Sequence, residues 1–313
     1  MRTYLLQRLA QLPPVLFFLS IIVFAIVRLI PGDPALIRLG DTATPEAVEQ
    51  IRRDMGLDQP IPVQYALWLG NVARGDLGVS WVSKKPVTEL ILLKLPATLM
   101  LTLAALGIAL LVAIPAGILA GSRPHSWVDN AATTLSLMGV AMPQFWLGIM
   151  LILVVAVQLR WLPPSGYVEP TRDLGASLQR LVLPALTLGL ALAAPLSRFM
   201  RSGMLDVMNA DFIRVARAKG LSERAVIMRH AVRNALLTVV TVFGLQFGAL
   251  LGGTIIIEQV FNWPGIGLMV LTGINQRDYV IVQGVVLFVA TGFVLVNLLV
   301  DVAYVYLDPR IRY

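Results

Sequence analysis

The sequence contains no cysteine, which excludes a disulfide framework, thiolate nucleophiles and zinc–thiolate sites. Its two histidines, His125 and His230, lie too far apart along the chain to suggest a His-rich metal site. No glycine is followed by lysine, so a Gly-x-x-x-x-Gly-Lys-Ser/Thr phosphate loop is missing. Charge is scarce too. Only 14% of the 313 residues are charged and 57% are hydrophobic, against about 25% and 45–50% in an ordinary soluble domain. That balance excludes a soluble globular enzyme and a disordered chain. The net charge of +7 fits either nucleic acid or a membrane surface, and the placement of the charges decides between them.

A charged side chain at the centre of a bilayer costs several kcal/mol, and about 20 apolar helical residues cross the hydrocarbon core. Uncharged windows at 9–27, 95–122, 130–159, 181–197, 234–257 and 279–300 therefore predict six transmembrane helices in an all-α integral membrane protein. Even the shortest window reaches roughly 25 Å at about 1.5 Å per residue. Barrel strands would need polar residues at every second position, and 107–119 is apolar on all sides. Pro13, Pro14, Pro115, Pro143, Pro184 and Pro195 fall inside these windows and are expected to kink or pack them.

The short connections carrying 121–130, 198–233 and the two termini hold thirteen basic residues, against four in the short connections of the opposite side. This asymmetry places both termini in the cytoplasm, and the first window reads as a retained anchor. The division is then 1–30 for the N-terminus and first span and 31–95 for an extracytoplasmic segment. A core follows at 96–308, with a tail at 309–313. Within 31–95, Thr44-Pro45-Glu46 predicts the start of a short helix over 45–55. A second helix, 62–74, is expected to turn Val63, Leu67 and Gly70 to one face.

Residues 198–233 hold eight lysines and arginines against three acids, so +5 of the net +7 is local. The pattern predicts a helix over 210–219, Gly220 at the left-handed position that ends it, an apolar contact from Leu221, and a new helix opened by Ser222-Glu223. That helix runs into the fifth span, a suitable device for passing force from a cytoplasmic partner. Charge concentrated in one helix-turn-helix is not a nucleic-acid footprint.

Arg214-Val215-Ala216-Arg217-Ala218-Lys219-Gly220, followed by Arg229-His230-Ala231-Val232-Arg233-Asn234, resembles the cytoplasmic EAA loop of binding-protein-dependent ABC transporter permeases, in the dipeptide, oligopeptide and glutathione branch. Ala216 and Gly220 keep the pattern, whereas Arg214 stands at its glutamate and Val232-Arg233 at its Leu-Pro. Further similar motifs are Pro31-Gly32-Asp33-Pro34, Gly56-Leu57-Asp58-Gln59-Pro60, Gly75-Asp76-Leu77-Gly78-Val79-Ser80, Phe261-Asn262-Trp263-Pro264-Gly265, Arg277-Asp278-Tyr279 and Asp308-Pro309-Arg310-Ile311-Arg312.

The resemblance implies the first permease of a type I ABC importer in a bacterial inner membrane. A second permease, two cytoplasmic ATPases and an extracytoplasmic solute-binding protein would complete it. ATP and magnesium would sit on the ATPases, with no cofactor, metal or catalytic set on this chain. The implied coupling residues are Arg214, Ala216, Arg217, Ala218, Lys219, Gly220, Leu221, Ser222, Glu223, Arg229 and His230, within a loop of about 198–235. Short peptides are the implied substrate; a nickel permease of the same branch, or an ion-coupled secondary transporter, is the alternative.

Polar residues within spans, Gln144, Thr187, Thr241, Gln246 and Asn297, are the pathway candidates, and interhelical hydrogen bonding explains each as well. Glu258 and Arg28 read as outer-interface anchors or gate residues, Asp301 as a salt-bridge partner or interfacial cap ahead of a proton-relay acid, and Asn262-Trp263-Pro264-Gly265 as a re-entrant turn or an interfacial anchor.

Overall fold

A computed structural model describes residues 2–29, 44–54 and 57–307. The chain is helical, and among these residues the one β feature is an isolated bridge between Val79 and Pro86. In order the helices are α1 (Arg2–Leu29), α2 (Pro45–Asp54), α3 (Ile61–Ala73), α4 (Val87–Ser122), α5 (Trp127–Ala141) and α6 (Gln144–Leu151). A π-helical stretch, Ile152–Gln158, extends α6. There follow α7 (Leu174–Met208), α8 (Asp211–Ala218), α9 (Glu223–Ala225), a π-helical turn at Val226–Ala231, α10 (Val232–Gly253), α11 (Ile255–Val260), α12 (Ile266–Asn275) and α13 (Tyr279–Leu307).

Among the described residues five helical stretches are long and apolar enough to cross a membrane, and α5 with α6 bring the number to six when that bent pair is counted as one span. The 130–159 window is not one rod: α5 and α6 meet at 102° around Met142-Pro143. Proline cannot donate the helical hydrogen bond and pushes the residue before it out of the helical region, and Met142 sits at φ −82°, ψ 125°. The 181–197 window lies within a far longer helix, because Arg180 and Arg198 are good helix formers and the backbone ladder runs through them. The 234–257 window crosses a break at Thr254, which separates α10 from α11.

The described residues divide into two compact units, one within 97–264 and 296–307 and the other within 2–96 and 265–295. In the first, α4 and α7 come into near-backbone contact. A Cβ on Gly117 would lie 2.4 Å from Met200 Cβ, one on Gly121 2.5 Å from Met204 Cβ, and one on Gly189 2.7 Å from Ile108 Cβ. Lipid is as apolar as leucine, so helices associate through such close contact of small residues and not through burial alone.

In the second unit, α3 leans on α1 through Phe17, Phe24, Tyr65 and Trp68, whose rings lie 5.1 to 6.3 Å apart in successive pairs. The Tyr65 and Ser20 hydroxyls bond at 2.7 Å. Val63, Leu67 and Gly70 share one face of α3, as expected, and that face is exposed, while Tyr65 and Trp68 meet the aromatic rings of α1. The start of α2 follows expectation, with the Ala47 N–H donating to Thr44 Oγ1. The stop proposed at Met55-Gly56, the motifs 31–34 and 308–312 and the tail 309–313 lie outside the described residues.

Glu258 and Trp263 are buried and are not the exposed anchors expected of them. Glu258 is fully buried on α11, its Oε1 accepting from the Thr254 hydroxyl at 2.8 Å and the Thr98 hydroxyl at 3.2 Å. Trp263 is buried as well and donates from Nε1 to the Ala97 carbonyl at 2.8 Å. A carboxylate or indole N–H can leave the interface when hydroxyls or a carbonyl replace its water. Arg28 stays exposed, donating to Gln64 Oε1 at 2.6 Å and resting 3.4 Å above the Phe24 ring. The Asp301 side chain lies outside the described residues.

Candidate functional site

The basic segment folds as a helix, a tight glycine turn and a second helix. In α8, Ile213 and Ala216 face inward and are buried, while Phe212, Arg214, Val215 and Arg217 face out. The helix ends in a Schellman turn. Gly220, at φ +78°, donates to the Arg217 carbonyl at 2.9 Å, and Leu221 N–H donates to the Ala216 carbonyl at 3.4 Å. A side chain at φ near +80° would be strained, which is why glycine stands there. Leu221 itself remains exposed, so the expected apolar contact does not bury it.

Ser222 then caps α9, its hydroxyl accepting from the Ala225 N–H at 3.4 Å. The turn is clasped by Arg217, whose Nε and Nη2 reach the two Glu223 oxygens at 3.1 and 2.7 Å. That hydrogen bond pushes the Arg217 guanidinium further above its ordinary pKa. From α9 the helix continues through the π-helical turn, where Val226 and Ala231 are fully buried, into α10 without interruption. Arg229 points outward and His230 is half-buried. Ala218 and Lys219 are exposed at the end of α8.

Outward, therefore, the segment presents Phe212, Val215, Leu221 and Met228 among Arg214, Lys219, Arg224 and Arg229. Inward, Ile213, Ala216, Val226 and Ala231 are buried in the apolar core of the first unit. Such a face can take up a partner, and such a root can pass on the partner's displacement.

The pathway candidates do not converge on one site. Gln144 is exposed at the start of α6, just past the bend. Thr187 is buried and donates its hydroxyl to the Leu183 carbonyl of its own helix at 2.8 Å. Gln246 and Asn297 are half-buried, and the Thr241 side chain lies outside the described residues.

Two carboxylates carry more structure than the sequence reading gave them. Asp278, buried, accepts from the Ser80 hydroxyl at 2.6 Å and the Val82 N–H at 3.1 Å. It thereby ties the Gly75–Ser80 motif to the Arg277–Tyr279 motif, and Trp81 packs edge-on to Tyr279. Asp129, also buried, is held by Arg201. The signal available for Asp129 was Ser126 three residues earlier, the spacing of a helix cap.

Comparison with known proteins gives a consistent result. Residues 113–313 match the family described as binding-protein-dependent transport system inner membrane component, and residues 1–102 match the N-terminal membrane component of the same systems. The glutathione transport system permease protein GsiC of Escherichia coli K12 is 42% identical over 313 residues, covering all of both chains. The protein of the same name from Pectobacterium atrosepticum is likewise 42% identical over 313 residues. Among solved structures, a chain of the inward-facing MetNI methionine ABC transporter aligns with a TM-score of 0.57 at 17% identity. It covers 70% of this chain and 96% of that one, a likeness of fold.

Proposed function

The chain belongs to the family of binding-protein-dependent transport system inner membrane components, and on that premise we propose that it forms, with a second permease, the pathway for a short peptide such as glutathione. The substrate class rests on full-length similarity to glutathione permeases. Both termini and the 198–233 segment face the cytoplasm, where its basic excess belongs. Two ATPases bind there and carry the ATP and magnesium, and a solute-binding protein delivers substrate on the opposite side. The chain works as a transport subunit without a catalytic step of its own.

The observation that carries this reading is the Schellman turn at Gly220, set between an exposed basic helix and a helix continuous with α10. The residues Arg214, Ala216, Arg217, Ala218, Lys219, Gly220, Leu221, Ser222, Glu223, Arg229 and His230 form the coupling element. Closure of the ATPases pushes α8, and the buried Ile213, Ala216, Val226 and Ala231 hand that displacement to α7 and α10. Alternating access is thus imposed from outside the membrane. Thr187, Gln144, Thr241, Gln246 and Asn297 remain the polar positions to test for contact with substrate.

Co-purification tests this directly. Two ATPases and a second permease should accompany the chain, and hydrolysis by the reconstituted complex should rise when binding protein and glutathione are added together. Transport by the chain alone, driven by a proton or sodium gradient, would overturn the reading.

A further inference from the structure

The helix α5 is attached in an unusual way. Only two of its side chains are buried, Asp129 and Ser136, both polar and two turns apart. Both meet α7: Ser136 shares a 2.7 Å hydrogen bond with Ser197, and Asp129 takes the guanidinium of Arg201. Leu135, Leu137, Met138 and Val140 are exposed. A close approach of Gly139 to Ala194 completes the contact. The hold of α5 on α7 is thus mainly polar and directional.

The Asp129 carboxylate is fully committed. Oδ1 accepts from Arg201 Nε at 2.5 Å, and Oδ2 accepts from Arg201 Nη2 at 2.8 Å and from the His125 N–H at 3.0 Å. The Asp129 N–H donates in turn to the Ser126 hydroxyl at 3.2 Å. This two-point fork fixes the orientation as well as the distance of its partners. A buried pair of this kind adds little stability over an apolar replacement, so its value lies in geometry.

Arg201 stands two turns before the end of α7, and only Asn209 and Ala210 separate that end from α8. At its other end α5 leads into the Met142-Pro143 bend and then α6, where Gly148 lies close to the Phe261 ring and Thr187.

We propose that the Asp129–Arg201 fork is a positioning pair that makes the bent α5–α6 segment move with the root of the coupling helix. Displacement of α8 is then delivered to the bend and is not lost by α7 sliding along α5. This inference rests on the transport reading above.

The test uses the complete transporter in proteoliposomes, with glutathione as the transported probe. The Asp129→Asn variant keeps shape but loses the charge, and Arg201→Lys keeps the charge but loses the fork. Both should assemble and hydrolyse ATP, yet uptake per ATP should fall at least about fivefold in Asp129→Asn and by an intermediate factor in Arg201→Lys. A purely structural role predicts a loss that follows the amount of assembled complex, and that result overturns the proposal. So does unchanged uptake per ATP.

A second measurement leaves the pair intact. This chain has no cysteine of its own, so with the other subunits made cysteine-free, Leu137→Cys with Asn209→Cys gives a single spin-label distance. That distance should stay within about 2 Å between the nucleotide-free and ATP-trapped states, and a larger change overturns the proposal. Absence of ATP-driven uptake in the parent complex overturns the transport reading and this proposal together. Normal parent uptake with unaltered coupling in the variants overturns the pair's role alone.

Discussion

Two connecting segments of this permease are built on opposite plans. The 198–233 segment is basic and exposed on one side, yet Ile213, Ala216, Val226 and Ala231 anchor it in the apolar core of its unit. The 44–73 helices are more apolar in places but hardly buried: α3 has no buried side chain, and α2 contributes Val48. An aromatic cluster, one hydroxyl pair and Arg28–Gln64 hold α3 to α1. Interdigitated apolar packing leaves no slack, so the first plan suits transmission of a displacement. A segment held by a few surface contacts shifts at low cost, and the second plan suits adjustment to a partner.

The largest effect is expected where α4 meets α7. Gly121→Leu drives a side chain into Met204 and the Arg201 carbonyl on α7. Overpacking of this kind costs about 1–3 kcal/mol or more. A lower unfolding temperature and a poor yield of complex are expected; a fully stable variant would show that α4 and α7 need no backbone-level contact.

Next in size is Asp278→Ala, which strips partners from the buried Ser80 hydroxyl and from the Val82 N–H, at about 1–3 kcal/mol. Faster hydrogen exchange should be confined to 75–86 and the start of α13, with α8 unaffected. Exchange that also rises in α8 would mean that the two plans are not separable.

Gly220→Val tests the turn itself. Its φ of +78° is strained for a side chain by about 1–2 kcal/mol, although a Cβ meets nothing within 4 Å. ATPase association should weaken by roughly tenfold, since about 1.4 kcal/mol is a factor of ten. Gly220→Asn, which tolerates that conformation, should stay near the parent. Equal behaviour of the two variants would remove the conformational argument.

The smallest effect belongs to Glu223→Gln. The Arg217–Glu223 pair is solvent-exposed on both sides, so its loss should cost less than about 1 kcal/mol and fade with added salt. A large loss of ATPase binding would instead make Glu223 a direct contact.

Much of this architecture was legible because its causes are local. Desolvation of charge marks every span within its own twenty residues, a missing Cβ lets Gly220 end α8, and the side chains of Thr44 and Ser222 cap helices three residues on. The bend at Met142-Pro143 was local as well, but proline kinks and proline breaks start from the same sequence, and packing around the bend separated them. Other outcomes had no local cause at all. Tyr65 and Trp68 pack on α1 because Phe17 and Phe24 lie across from them. Glu258 is buried beside Thr98, 160 positions away, which supplies a hydroxyl. Asp129 became an anchor because Arg201 lies 72 positions on, and Asp278 because Ser80 lies 198 positions back. Energies between near neighbours set the uncharged stretches, the caps of α2 and α9 and the turn at Gly220, whereas the full length of α7 and the breaks at Pro143 and Thr254 lay beyond them. Which polar groups are buried was decided only by tertiary structure, since a buried charge or hydroxyl is tolerable only beside a partner that the fold brings to it.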